Sequence, residues 1–339
     1  MTNALSELLA ERDWLLLDGA TGTNLFDMGL QSGDAPELWN VDAPEKIRAL
    51  HDGFLQAGSD VILTNSFGGS RYRLKLHDAQ DRVRELNAAA ARIARACVDA
   101  APRKAIVAGS VGPTGEILEP VGSLSMSDAV AAFKEQIEGL MEGGADVIWA
   151  ETISSEEELR AVHQAATELD APFCATLSFD TAGRTMMGVT SEGYAGLAQG
   201  LTPQPIAIGA NCGTGAPDLL RTVLGISGAD PDRIVIAKAN AGIPKYSDGK
   251  ILYDGTPELM ADYVRLARDA GARLIGGCCG TKPEHLRAMR AALEAHRPGE
   301  RPSLEEIVEK VGAFSSASDG TGDQASAPGC GRKRRRRRE

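Results

Sequence analysis

Three cysteines stand where they could share one metal ion. Cys278 and Cys279 are adjacent within Gly276-Gly277-Cys278-Cys279-Gly280-Thr281, and Cys212 lies in Asn211-Cys212-Gly213. Each motif follows a short apolar run of strand type, 206–210 before Cys212 and 273–275 before the pair. Neighbouring residues of a regular strand point to opposite faces, so the pair can serve one ion only where the strand breaks. Glycines at 276, 277 and 280 supply the backbone freedom for that break. Three thiolates with a fourth position open form the ligand set of a catalytic zinc, and a substrate thiol suits a sulfur-rich zinc there. The competing reading is three ordinary buried thiols, because free cysteine is among the most buried residue types. The glycine framing and the answering Cys212 weigh against it. Cys97, in an Ala/Arg-rich helical stretch, and Cys174, in mid-strand, read as core residues, and Cys330 as a free thiol. Six cysteines in 339 residues, without a signal-like N-terminus, do not suggest a disulfide framework.

The elements that must position these thiols repeat along the chain. Apolar strand-type runs occur at 14–18, 61–66, 105–110, 146–151, 173–178, 206–211, 234–239 and 273–277. Helical periodicity of 3.6 follows at 44–55, 82–98, 127–142, 155–169, 256–270 and 282–296, and is weaker after the fifth and sixth strands. Ser127-Asp128, Ser154-Ser155-Glu156, Thr256-Pro257-Glu258 and Thr281-Lys282-Pro283-Glu284 read as helix starts. Alternating strands and helices imply a parallel sheet, and eight such units in one chain predict an α/β protein of the (β/α)8 barrel type. The alternative, a doubly wound open sheet, lacks a GxGxxG after the first strand.

In a (β/α)8 barrel the active site lies at the C-terminal strand ends. Here those ends read Asp18-Gly19, Thr64-Asn65, Gly109-Ser110, Glu151-Thr152, Leu177-Ser178, Asn211-Cys212, Ala239-Asn240 and Cys278-Cys279. Helix caps would account for Ser, Thr, Asn and Asp at such places, but not for the cysteines or Glu151. A carboxylate after Val147-Ile148-Trp149 is costly unless it meets a cation.

In this order, Asp18-Gly19-Ala20-Thr21-Gly22-Thr23, Thr64-Asn65-Ser66-Phe67, Glu151-Thr152, Asn211-Cys212-Gly213 and Gly276-Gly277-Cys278-Cys279-Gly280 resemble the motifs of the zinc-dependent homocysteine S-methyltransferases. That family includes betaine–homocysteine methyltransferase, S-methylmethionine enzymes and the N-terminal module of cobalamin-dependent methionine synthase. The resemblance runs from about residue 15 to about residue 296. It implies a zinc-holding barrel that methylates homocysteine to methionine, with Cys212, Cys278 and Cys279 as ligands. Asp18 and Glu151 are then candidates for the substrate amino group, and the backbone N–H groups of Gly19, Ala20 and Thr21 for its carboxylate. Ser110, Asn65 and Asn211 complete the expected substrate contacts.

The methyl donor is the finer question. A betaine site needs an aromatic cage for a quaternary ammonium. The animal betaine enzymes have a Tyr after the conserved Glu, where this chain has Thr152; the counterpart of their cage Trp falls near Ala35, with Trp39 displaced from it. Glu151-Thr152 and Asn240-Ala241-Gly242 look more like the methionine synthase module, although the whole chain resembles bacterial stand-alone proteins classed as betaine enzymes. The expectation is a methyl-corrinoid protein as donor, carried on a separate chain, with betaine or another onium compound as the alternative.

Two readings from other classes compete with a methyltransferase. A zinc-thiolate sensor without turnover leaves Asp18 and Glu151 without a role. A barrel hydrolase or aldolase lacks a histidine-rich metal set, since His51, His77, His163, His285 and His296 all fall outside the strand ends. Lys238 could form a Schiff base, but reads better as a paired structural charge.

Composition bounds the rest. Hydrophobic content of 43% supports a large core, and aromatics at 4% with 38 glycines suit tight strand-to-helix turns. No run approaches the 18 apolar residues of a membrane span, so a cytoplasmic protein is expected. Net charge is −11 although residues 331–339 hold seven Arg/Lys and one Glu, so the body is more acidic still and argues against general nucleic-acid binding. Residues 1–312 read as the barrel. Residues 313–339 read as a disordered Ser/Gly-rich linker and Arg-rich tail, either simply solvated or able to dock an acidic partner or weakly bind RNA. The stretch 246–253 reads as a loop covering the site after the seventh strand.

Overall fold

A computed structural model of the chain describes residues 3–243, 245–247 and 250–321. The strands are β1 (Leu15–Leu16), β2 (Val61–Leu63), β3 (Ile106–Val111), β4 (Val147–Ile153), β5 (Phe173–Leu177), β6 (Ala207–Cys212), β7 (Val235–Ala239), β8 (Lys245–Ser247), β9 (Lys250–Leu252) and β10 (Ala272–Gly277). Eight of them pair in parallel in the order β1-β10-β7-β6-β5-β4-β3-β2. A parallel bridge between Leu17 and Val61 joins the two ends of that order and closes the (β/α)8 barrel. Each strand of the barrel leads to a helix: Pro44–Gln56, Val83–Ala100, Met126–Glu142, Glu156–Glu168, Ser191–Gln199, Ala216–Ala229, Pro257–Asp269 and Pro283–Ala295.

Side-chain alternation divides the core in two. Residues that point into the barrel, among them Leu15, Leu17, Val61, Leu63, Ile106, Ala108, Val147, Trp149, Cys174, Ala207, Ile236 and Leu274, form one buried cluster. Leu5, Leu8 and Leu9 of the helix Ala4–Glu11 join it, so this helix plugs the N-terminal end of the barrel. Outward residues of the same strands, such as Ile62, Val107, Ile148, Ala150, Ile208 and Ile275, pack under the helices in the larger cluster. The inward column is apolar at the bottom; further along six of the strands, directly or after an intervening glycine at 209 or 276, it becomes Ser110, Glu151, Thr176, Asn211, Lys238 and Cys278.

Four details depart from the sequence expectation. The helix expected at Ser127 is capped by Ser125, whose hydroxyl accepts the Asp128 N–H at 3.1 Å. The start at 281–284 is closed by a histidine: His285 Nδ1 accepts the Lys282 N–H at 2.9 Å while Nε2 lies 2.9 Å from the Gly255 carbonyl, which fixes the Nε2–H tautomer. The stretch 246–253 is a hairpin, β8 against β9, with Tyr246 opposite Ile251. Past the eighth unit, a helix Leu304–Val311 packs on the barrel, and the chain stays attached beyond it. Arg221 lies 4.5 Å over the Phe314 ring and donates to the Ser316 carbonyl at 2.9 Å, and the Ser315 N–H reaches Asp218 at 3.0 Å. The expected linker is therefore held against the helix Ala216–Ala229 as far as these contacts run. Residues 322–339, with the Arg-rich block, lie outside the described residues. No helix among the described residues is long and apolar enough to cross a membrane.

His51 sits on the buried face of Pro44–Gln56, with neither ring nitrogen hydrogen-bonded. Burial pushes its pKa down to about 4. The folded chain therefore refuses a proton that the unfolded chain accepts below about 6.5, and the stability this provides is present above that pH and lost as pH falls towards 4. Unfolding by urea at pH 7 and pH 5 should show about 2 kcal/mol of acid destabilisation from this residue. In His51→Leu that part of the pH dependence should vanish; an unchanged dependence would show that His51 is not its source.

Candidate metal and substrate site

The three cysteines converge because two strands break their alternation at the right places. In the register of β6, β7 and β10, Asn211, Lys238 and Gly276 share one level, and Cys212, Ala239 and Gly277 the next. Asn211 points into the barrel, so Cys212 in a regular strand would point out under the helices. Its φ of 59° lies in the left-handed region instead, and the thiol turns back over the barrel mouth. Beyond β10 the chain turns, with the Thr281 N–H on the Cys278 carbonyl at 3.1 Å and Gly280 at φ 79°. This break lets adjacent cysteines face one point. A Cβ at Gly277 would lie 2.2 Å from the Thr281 hydroxyl, so the turn requires glycine there.

β7 clamps both cysteine motifs. The Cys278 N–H donates to the Ala239 carbonyl at 2.7 Å, and the Ala241 N–H to the Cys279 carbonyl at 2.9 Å. Asn240 accepts the Cys279 N–H at 3.1 Å and donates to the Gly213 carbonyl at 2.9 Å, tying the two motifs with one side chain. Cys212 Sγ lies 3.0 Å from Cys278 Sγ and 3.6 Å from Cys279 Sγ, and all three are within 4.8 Å of one another. Four sulfurs at ~2.3 Å around a tetrahedral zinc are roughly 3.8 Å apart. One separation thus already matches and the other needs to open by less than about 1 Å, so this donor set fits a thiophilic dication. Hydrogen bonds from Cys212 and Cys278 pull the Cys279 pKa down, whereas hydrogen bonding to its two neighbours and burial hold Cys212 well above the ordinary thiol range. Binding a metal through three thiolates would release the protons that these thiols hold. Tyr253, past the hairpin, packs on Gly280, and burial and the neighbouring Cys279 push its pKa up.

Beside the thiols lies a buried charge cluster. Asp18 is 1% exposed; one carboxylate oxygen receives Lys238 Nζ at 2.9 Å and the other the Leu63 N–H at 2.7 Å. Burial pushes the Asp18 pKa up, opposed by Lys238 and by the Leu63 N–H. Burial alone would lower the Lys238 pKa, but the carboxylates of Asp18 and Glu151 hold the ammonium protonated. Glu151 accepts a short hydrogen bond from the Ser110 hydroxyl. Burial raises its pKa to about 7, against the pull of Lys238.

The expected substrate contacts divide into free and committed groups. Asn211 Oδ1 accepts the Thr152 N–H at 2.8 Å and the Thr176 hydroxyl at 2.7 Å, and Nδ2 donates to the Thr152 hydroxyl at 2.8 Å. It thereby stabilises Thr152 at φ 63°, the kink that sets Glu151 at the end of β4. Asn65 donates to the Pro36 carbonyl at 2.7 Å and to Asn40 at 3.0 Å, holding the first loop. The Ala20 N–H donates to the Thr281 carbonyl at 3.1 Å, which leaves Gly19 and Thr21 of the expected trio, and Gly19 packs directly on Thr281. Asn240, Thr176 and Tyr253 were not among the residues singled out for a role; only Asn240 carried a signal, its place one residue past the seventh strand.

The family model described as homocysteine S-methyltransferase matches residues 15–293, the barrel from β1 to its last helix. Among solved structures the chain is similar to the homocysteine methyltransferase MmuM from Escherichia coli. Its oxidized form is 28% identical with a TM-score of 0.71, over 86% of this chain and 99% of that one. Its metallated form is 27% identical with a TM-score of 0.72, over 85% and 99%. The match takes in the strand ends that carry Asp18, Glu151, Cys212, Cys278 and Cys279, and the chain belongs to the homocysteine S-methyltransferase family.

Proposed function

We propose that this protein methylates the sulfur of homocysteine to give methionine, with zinc held by Cys212, Cys278 and Cys279. The observation that carries the reading is the convergence of three thiols at the barrel mouth that also carries the half-buried Glu151. When bound there, zinc supplies a way to keep the substrate sulfur deprotonated at pH 7, where a free thiol with a pKa near 8.5 is mostly protonated.

The chain's own residues do the positioning. Glu151 receives the substrate ammonium, and Ser110 holds it in place by occupying one of its oxygens. Gly19 and Thr21, at the start of the helix Thr21–Asp27, are assigned to the substrate carboxylate through their N–H groups. Asn211 and Asn65 act one step back, fixing the Glu151–Thr152 kink and the first loop. With the amino acid anchored at these points, its sulfur and the donor methyl are brought into line. The S–C bond forms as the bond from carbon to the donor breaks, and that electron pair leaves with the donor. The thiol proton has already gone to solvent. Such a displacement draws its rate mainly from orientation.

For the donor we favour a methyl-corrinoid protein. Trp39, the tryptophan nearest to a cage position, is covered by Lys46 Nζ at 4.0 Å from its ring. The loops at the barrel mouth instead expose Phe67, Ile117, Val121, Met186, Met187 and Ile243, an apolar rim suited to a macromolecule.

Replacing Cys212, Cys278 or Cys279 by Ala should lower bound zinc from one equivalent to under about a tenth and abolish methionine formation together. Turnover by a zinc-free variant would refute the zinc assignment. For the donor, zinc-loaded protein should form methionine from homocysteine with methylcobalamin and not with betaine or S-methylmethionine. Turnover with betaine would overturn the corrinoid assignment and show a cage built from other residues.

A further inference from the structure

The sequence offered both Asp18 and Glu151 to the substrate ammonium, but the structure makes them unequal. Asp18 has both carboxylate oxygens engaged, one by Lys238 at 2.9 Å and one by the Leu63 N–H at 2.7 Å. The Asp18–Lys238 pair is closed off from solvent, its side chains 1% and 3% exposed. It joins the ends of β1 and β7 across β10. Glu151 is held by Ser110 and has no cation within ion-pair distance among the described residues. The three charged groups therefore sum to one uncompensated negative charge when all are ionised, and it resides on Glu151. Glu151 is half-buried, so its charge is only partly solvated, and a cationic ligand group placed there removes the cost of that lost solvation.

We propose that Lys238 is a positioning residue for substrate recognition: it neutralises Asp18 and so reserves Glu151 as the single carboxylate that receives the homocysteine ammonium. Lys238 is then neither a Schiff-base lysine nor a mere structural charge. Had position 238 been apolar, two buried anions would compete for one ammonium, and the amine would be drawn towards Asp18. The inference rests on homocysteine as substrate, and its test separates the two.

The experiment measures calorimetric Kd values of the zinc-loaded protein for homocysteine and for 4-mercaptobutanoate, which is homocysteine without its amino group. Zinc content is checked for every variant. The ratio of the two constants reports recognition of the ammonium alone and needs no methyl donor. Wild type should prefer homocysteine by about 10–100-fold, the range of a charge-assisted hydrogen bond. Glu151→Gln should reduce the preference to under about 3-fold, while the double variant Asp18→Asn/Lys238→Met should stay within about 3-fold of wild type, because it removes a pair that is already neutral. Lys238→Met alone should raise the preference several-fold by freeing a second carboxylate, and Lys238→Arg should restore the wild-type ratio. Loss of preference in the double variant, its survival in Glu151→Gln, or an unchanged ratio in folded Lys238→Met would each overturn the proposal. If Lys238→Met does not fold, the double variant decides. Failure of wild type to bind either thiol would sink the homocysteine reading itself, and this proposal with it.

Discussion

The constraint on which the site depends is that a closed parallel barrel has one inward column per strand, and the columns that build the site must change from apolar to polar within one short strand. Below that change the columns fill the barrel with Trp149, Cys174, Ile236 and Leu274. Above it the same columns deliver Glu151, Thr176, Lys238 and Cys278 to the C-terminal mouth of the barrel. The carboxylates and the lysine therefore stand on a packed floor. Low exposure strengthens their mutual interactions and makes any unmatched group expensive. Regular alternation alone would not complete the site. Two residues in left-handed conformation, Thr152 and Cys212, depart from it and re-aim what lies at the strand end. Such positions cost of order 1–3 kcal/mol each and persist only where their surroundings over-determine them. Asn211 meets that need at Thr152, hydrogen-bonding both its N–H and its hydroxyl.

This arrangement sets stability against function. Asp18, Glu151 and Lys238 could be replaced by apolar residues of similar volume with no loss of folding stability, since buried ion pairs seldom exceed the cost of their own desolvation. The three cysteines, crowded to 3.0 Å and 3.6 Å, likewise contribute less to folding than to holding a metal. The fold supports these groups from elsewhere. The N-terminal helix closes the barrel floor, and the segment after Leu304–Val311 is fastened by Arg221 over Phe314. The Asn240 side chain links the two cysteine motifs through backbone groups, so the candidate ligands at the ends of β6 and β10 are spaced by a strand that supplies none itself.

Much of this was legible in the sequence, for a definable reason. Strand ends announce themselves when an apolar run stops at a residue that burial would penalise, and Glu151, Cys212 and Cys278-Cys279 are such stops. All eight strands lie at or within a few residues of their expected positions, including those of the fifth and sixth units, where helical periodicity was weak. Pairings were not legible, because they join residues far apart in sequence. Lys238 and Asp18 are 220 positions apart, and neither local pattern names the other. The amides show the same limit. Asn65 and Asn211 read as ligand contacts, and each also hydrogen-bonds partners that only the closed barrel provides. The hairpin after the seventh strand was read as a loop because its strands are three residues each, too short to show alternation.

The distribution of functional groups between strands and loops explains why the chemistry is easier to read than the donor. The residues proposed for sulfur activation and amino-acid recognition lie on or just past β1, β3, β4, β6, β7 and β10, where strand pairing fixes the backbone. Donor access is controlled by the βα connections, which carry Phe67, Ile117, Val121, Met186, Met187 and Ile243 and are free to change length and composition without disturbing the barrel. A single scaffold can therefore keep one way of preparing a thiol while the rim is rebuilt for small onium compounds or for a protein-borne methyl group. In this chain Lys46 covers Trp39 and the βα connections expose apolar side chains, while the inward columns beneath them are indifferent to the choice of donor.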